Sequence, residues 1–123
     1  MSENWGPYYS MPALLRKTDS GKTILRESFD YDLLRQELIA NGLPLEVVKV
    51  RNPWFYRKQN SDTWMLIGES EDIEDNFQVE WDISKLENGS YELMALMQVL
   101  VEEGMSERAT VARQSVAGFT IQN

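Results

Sequence analysis

The chain has 123 residues, 42% hydrophobic and 26% charged, a composition that fits one globular domain with a single core. Twelve Lys+Arg against twenty Asp+Glu give a formal charge of −8, which argues against nucleic acid and anionic membrane surfaces as partners. His and Cys are both absent, which excludes disulfides, thiolate chemistry, Cys-ligated zinc, the commonest general base and the commonest transition-metal ligand.

The expectation is therefore a non-catalytic chain with no cofactor and no metal. No segment approaches the roughly 20 apolar residues that cross a bilayer. Met1-Ser2-Glu3-Asn4 lacks the basic and apolar regions of a signal peptide, so a cytoplasmic or virion-borne chain is expected, with an excised extracellular module left open.

In chain order, residues 1–22 mix Trp5, Gly6, Pro7, Tyr8, Tyr9 and Pro12 with little periodicity and end in Thr18-Asp19-Ser20-Gly21, which reads as an extended N-terminal arm. Residues 23–123 are expected to form the domain itself. From Thr23, Leu25, Phe29, Tyr31 and Leu33 alternate with Arg26, Ser28, Asp30 and Asp32, a half-buried strand interrupted only by Glu27. Leu33-Leu34 and Leu38-Ile39 then fall at helical spacing, and Asn41-Gly42 before Pro44 supplies a stop, so a short helix is expected. Leu45 to Val50 and Trp54 to Tyr56 read as one long strand, kinked at Asn52-Pro53 because proline brings no ladder hydrogen.

Gln59 to Asp62 is a polar hairpin loop, and Thr63 to Gly68 the return strand. An acidic loop, Glu69 to Asn76, precedes the alternating Phe77-Gln78-Val79-Glu80-Trp81. Asn88-Gly89 turns the chain into the β-rich run Tyr91 to Val101, Glu102-Glu103-Gly104 reverses it, and Met105 to Asn123 forms a last strand with a break at Ala117-Gly118. Short strands spaced by turns with one short helix favour a β-sandwich.

Tyr56-Arg57-Lys58, Thr63-Trp64, Ile67-Gly68, Trp81-Asp82-Ile83 and Asn88-Gly89-Ser90-Tyr91 occur in an order that resembles bacterial immunoglobulin-like domains over about residues 45–123. The resemblance implies an antiparallel β-sandwich of about seven strands. It also implies a structural or adaptor role, making protein–protein contacts with other subunits, a homo-oligomer among the options, in a larger assembly such as a phage virion or tail-like particle. The alternative it leaves open is an accessory carbohydrate-binding or spacer domain of a secreted glycoside-degrading protein. The arm and the helical insertion depart from the family's compact early strands.

Four features carry the candidate sites. Glu69, Glu71, Asp72, Glu74 and Asp75 are dense enough in oxygen for Ca²⁺ but lack the spacing of a calcium loop, and a solvated loop is the plainer reading. Trp54, Phe55, Tyr56 and Trp64 fill a core or stack on sugar; if Trp54 and Tyr56 face inward, Phe55 faces out as a contact. Strict alternation after Gly89 puts Tyr91, Leu93, Ala95, Met97 and Val99 on one face and leaves Met94, Leu96 and Leu100 on a second apolar face. The arm, the helix or a partner chain must cover that second face. Trp5, Tyr8 and Tyr9 in the arm are residue types common at interface cores.

Overall fold

The computed structural model describes residues 5–16, 22–42, 47–103 and 106–122. Among these residues, seven strands and one helix follow in the order β1 (Leu14–Arg16), β2 (Lys22–Leu25), α1 (Tyr31–Ala40), β3 (Val47–Lys58), β4 (Met65–Ser70), β5 (Val79–Asp82), β6 (Gly89–Glu103) and β7 (Ser106–Gln122). They form a five-stranded sheet in the order β1-β7-β6-β3-β4 and a two-stranded sheet of β2 and β5. The fold is mainly β. All pairings are antiparallel except β1 with β7, which is parallel through Leu14↔Thr120, Leu15↔Ile121 and Arg16↔Gln122.

Strand β6 is the spine. It pairs with β7 from Gly89↔Ile121 to Glu103↔Ser106 and with β3 from Lys58↔Tyr91 to Val47↔Val101. Its predicted inner face is realised: Tyr91, Leu93, Ala95, Met97 and Val99 are all buried. Two apolar clusters grow from this face. The first joins Tyr91, Leu93 and Ala95 to Trp54 of β3, Leu25 of β2, Trp81 of β5 and Phe119 and Ile121 of β7, so both sheets share it. The second joins Met97 and Val99 to Val50, Phe77, Leu34 and Leu38 of α1, and Trp5.

The helix begins two residues earlier than the Leu33 of the sequence reading. Asp30 caps it, its carboxylate accepting from the Leu33 amide at 3.1 Å, so Tyr31 starts a helix and does not continue the strand. The strand expected from Thr23 onward accordingly stops at Leu25. Residues 45–46 of the predicted long strand lie outside the described residues. Asn52 and Pro53 interrupt the β3–β6 ladder between Arg51↔Gln98 and Trp54↔Ala95 but keep their pairing to β4. Pro53 therefore sits in a central strand, tolerated because the ladder on one side lapses around it. The break expected at Ala117-Gly118 does not occur, since β7 pairs through both residues. The irregularity lies between Val99 and Leu100 of β6.

The N-terminal segment belongs to the same packed body. Trp5 is 1% exposed, and its indole Nε1 donates to Glu37 Oε2 of α1 at 3.0 Å. Arg113 of β7 donates to the other oxygen of Glu37 and places its guanidinium 5.9 Å from the Trp5 ring centre. Gly6 is required beside it: at φ +148° its backbone passes so close to Phe29 that an added Cβ would come within 2.8 Å of the Phe29 Cβ. Tyr9 donates its hydroxyl toward the Leu93 and Ser115 carbonyls, both at 2.9 Å, and Ser115 Oγ donates to the Pro7 carbonyl at 2.9 Å.

Trp5 thus closes the second cluster from outside the sheets. Trp5→Ala is expected to lower the unfolding free energy by about 3–5 kcal/mol, the range for deleting a buried aromatic ring. Urea denaturation checks this, and a change below about 1 kcal/mol would show that α1 and β7 close the gap without it.

Candidate functional site

Two places in the molecule hold chemistry that packing alone does not explain. They lie on opposite faces of the five-stranded sheet.

The first is interior. Glu27 follows β2 and continues its inward parity, which places its side chain, 3% exposed, beside Asn52 of β3, which is fully buried. Neither carboxyl oxygen of Glu27, nor the Oδ1 or Nδ2 of Asn52, makes a hydrogen bond among the described residues. The Asn52 amide still favours the ionised carboxylate, but burial outweighs it and pushes the Glu27 pKa from 4.5 up to about 8. Burial, reinforced by the nearby charge of Glu27, likewise holds the Tyr9 phenol well above its ordinary value. Arg26, adjacent in sequence, points away and donates to Gln78 Oε1 at 3.0 Å.

Glu27, Ser28 and Asn76 border two neighbouring clefts. One of about 380 Å³ is lined also by Tyr8, Tyr9, Ser10 and Arg26, and one of about 200 Å³ by Phe29, Tyr31, Ile73 and Phe77. Asn76 and Phe77 hold this wall in a left-handed backbone conformation, φ 61° and 55°.

The second place is the outer face of the large sheet. Cross-strand register sets Leu66 of β4 opposite Phe55 of β3, Phe55 opposite Met94 of β6, and Met94 opposite Val116 of β7. Directly paired residues share a face, so these four apolar side chains form one row across four strands. The two ends of the row are open, Leu66 at 61% and Val116 at 45% exposure, while Met94 is buried to 8% between its neighbours. The next row, Arg57 and Glu92, is closed by an ion pair at 3.0 Å. Farther along, Arg51 and Lys49 both reach Glu71, at 3.4 and 3.9 Å. These cations are therefore matched, whereas Glu69 on β4 and Asp72, Glu74 and Asp75 in the loop that follows it remain exposed.

The residues singled out from sequence separate on this map. Met94 and Phe55 come together in the row. Leu96 is half-buried opposite Gln114, and Leu100 is buried to 6%, so neither offers much surface. Trp5 and Tyr9, expected to lie across a neighbouring subunit, pack inside this chain; Tyr8 is 42% exposed but its backbone pairs with Ser28. Leu66 and Val116 were not singled out, although each falls on the outward parity of its strand; only the register shows that they extend the Met94 row. Among the described residues, no three His, Cys, Asp or Glu side chains converge as metal ligands would, and the acidic loop is engaged in local turns such as Asp72 Oδ1 accepting from the Glu74 amide.

The chain matches no protein-family model and no curated protein.

The unpartnered acid makes a pH-dependent prediction. Folded Glu27 keeps its proton up to about pH 8, whereas unfolded Glu27 loses it near 4.5, so the folded state binds more protons between these values and stability falls as pH rises through that window. Glu27→Gln, which keeps the shape and cannot ionise, is expected to match the wild type within about 1 kcal/mol near pH 4.5. At pH 9 it should exceed it by several kcal/mol, up to about 5, each pKa unit being worth about 1.4. Urea unfolding at the two pH values checks this, and parallel pH profiles for the two proteins would place the charge elsewhere.

Proposed function

We propose that this chain is a non-catalytic immunoglobulin-like adaptor module that docks a basic protein partner, a subunit of a larger assembly, on the outer face of its five-stranded sheet. The row Leu66–Phe55–Met94–Val116 is the observation that carries the reading, because a continuous apolar row open at both ends of a sheet face marks a contact surface.

Several features support the immunoglobulin-like part. If β1 to β7 take the roles of strands A, B, C, C′, E, F and G, then C′, C, F and G fall in one sheet and B and E in the other, as that architecture requires. Trp54 is fully buried on the strand in the C position. Tyr91 opens the strand in the F position and donates its hydroxyl to the Glu87 carbonyl at 2.8 Å, the bond of a tyrosine corner.

Charge selects the partner. The chain carries −8 in total, and Glu69 with the loop after β4 adds exposed carboxylates to the sheet's edge, so a second copy would meet like charge while a partner with Lys or Arg around an apolar strip would be attracted. A sugar-binding reading is less well supported. Of the four tryptophans, Trp5, Trp54 and Trp81 are buried and the Trp64 ring carries the Arg57 guanidinium 4.3 Å from its centre.

A synthetic peptide alternating valine with lysine serves as the probe. Calorimetry is expected to show binding with a negative heat-capacity change that weakens with salt. Binding should drop at least tenfold in the Leu66→Glu/Val116→Glu double variant, whose substituted positions are exposed enough to leave the fold intact by circular dichroism. Equal binding by the double variant, no binding by either protein, or a wild-type chain that light scattering finds self-associated through this face would overturn the reading.

A further inference from the structure

Glu27 occupies a joint as well as a core position. Its amide donates to the Asn76 carbonyl at 2.9 Å. Immediately after it, three backbone hydrogen bonds tie the N-terminal segment down: Tyr8 N to Ser28 O at 2.8 Å, Ser28 N to Tyr8 O at 3.0 Å, and Asp30 N to Trp5 O at 2.7 Å. The groups facing the carboxyl are the Tyr9 phenol from the N-terminal segment and the Asn52 amide from β3, with the Asn76 carbonyl on the flanking loop and Arg26 turned away. Among the described residues, no cation faces the carboxyl.

A carboxylate in such a place is either neutral or a buried charge without a counterion, which is among the most costly arrangements a protein interior can hold. Relief requires water, and water enters where the surrounding structure is least locked. Strand β3 is paired on both sides along most of its length, whereas β1 is held by only three register positions at one edge.

We propose that Glu27 is a proton-operated latch on residues 5–16: protonated, it lets the segment lie closed against the sheet, and ionised, it opens the joint at Tyr8 and Ser28. Opening would bare the β7 edge at Thr120–Gln122 that β1 covers. The carboxyl's raised pKa sets the window, since opening gains from ionisation at every pH between the ordinary Glu range and about 8 and no further above it.

Amide hydrogen exchange, corrected for the intrinsic rate at each pH, tests the latch. Between pH 5.5 and 8.5 the protection of the Tyr8, Ser28 and Asp30 amides should fall by about a hundredfold, from a level already well below that of the β6 amides. In Glu27→Gln it should stay constant. Asn52→Ala, which removes the amide that favours ionisation, should move the levelling-off to higher pH and decides the matter if Glu27→Gln does not fold. Protection at the joint that is independent of pH, that falls equally in Glu27→Gln, that equals β6 protection throughout, or a levelling-off that Asn52→Ala leaves in place would each overturn the proposal.

Discussion

A strand with apolar residues on both faces needs cover on both, from packed layers and from the side chains of the strands beside it. Strand β6 imposes that condition on the rest of the molecule. Its inner residues run through both core clusters, Tyr91, Leu93 and Ala95 in one and Met97 and Val99 in the other, so a single hydrogen-bonded element joins two separately built interiors. The long pairings to β7 and β3 follow from this, since only a strand paired on both sides brings enough flanking side chains to bury Met94 and Leu100 on the reverse face.

The same strand explains the helix and the N-terminal segment. At about 3.3 Å per residue, a strand of fifteen residues spans close to 50 Å, whereas β2 and β5 have four residues each and reach about 13 Å. The small sheet therefore covers only the Tyr91 end of β6. Met97 and Val99 need another lid, and α1 supplies it with Leu34 and Leu38, both fully buried. Trp5 fills the remaining gap and is fixed there by Glu37, which also takes Arg113 from β7. Burial alone would raise the Glu37 pKa, but the hydrogen bonds from Trp5 and Arg113 prevail and hold it below its usual range, so this half-buried charge, unlike Glu27, is matched.

How far the sequence discloses this depends on whether a feature is local. The alternation of Tyr91 to Val99 and the Asn41-Gly42 stop are written into neighbouring residues, and the structure follows them; the turn read at Asn88-Gly89 instead closes at Ser84-Lys85, with Gly89 already paired in β6. Tyr31 and Leu33 also keep period two with Leu25 and Phe29, yet the Asp30 cap overrides that pattern, because a helix here buries Leu34 and Leu38 together. Sheet order and register are not local. Leu66 reaches Met94 through Phe55, by pairings 11 and 39 residues apart in sequence, and Val116 pairs with Met94 from 22 residues on, which no periodicity records. The Glu27 site had one local trace, the break in alternation at that residue. Its meaning depends on Asn52 and Tyr9, brought to it by tertiary packing.

Asn52 and Pro53 connect the two faces of the sheet. Asn52 is turned to the interior beside Glu27, and Pro53, next along the chain, has the opposite parity, toward the side that carries Phe55 and Met94. Here the β3–β6 ladder lapses, and Pro53 brings no amide hydrogen to restore it, while pairing to β4 continues through Asn52↔Ser70 and Pro53↔Glu69. The register is the same on both sides of the lapse, Arg51↔Gln98 and Trp54↔Ala95, so Asn52 keeps the inward parity of Val50 and Trp54 and its amide lies under the acid. The interruption read from sequence as a kink is thus the place where β3 turns a polar side chain toward the interior acid and, one residue on, an apolar ring toward the outer row.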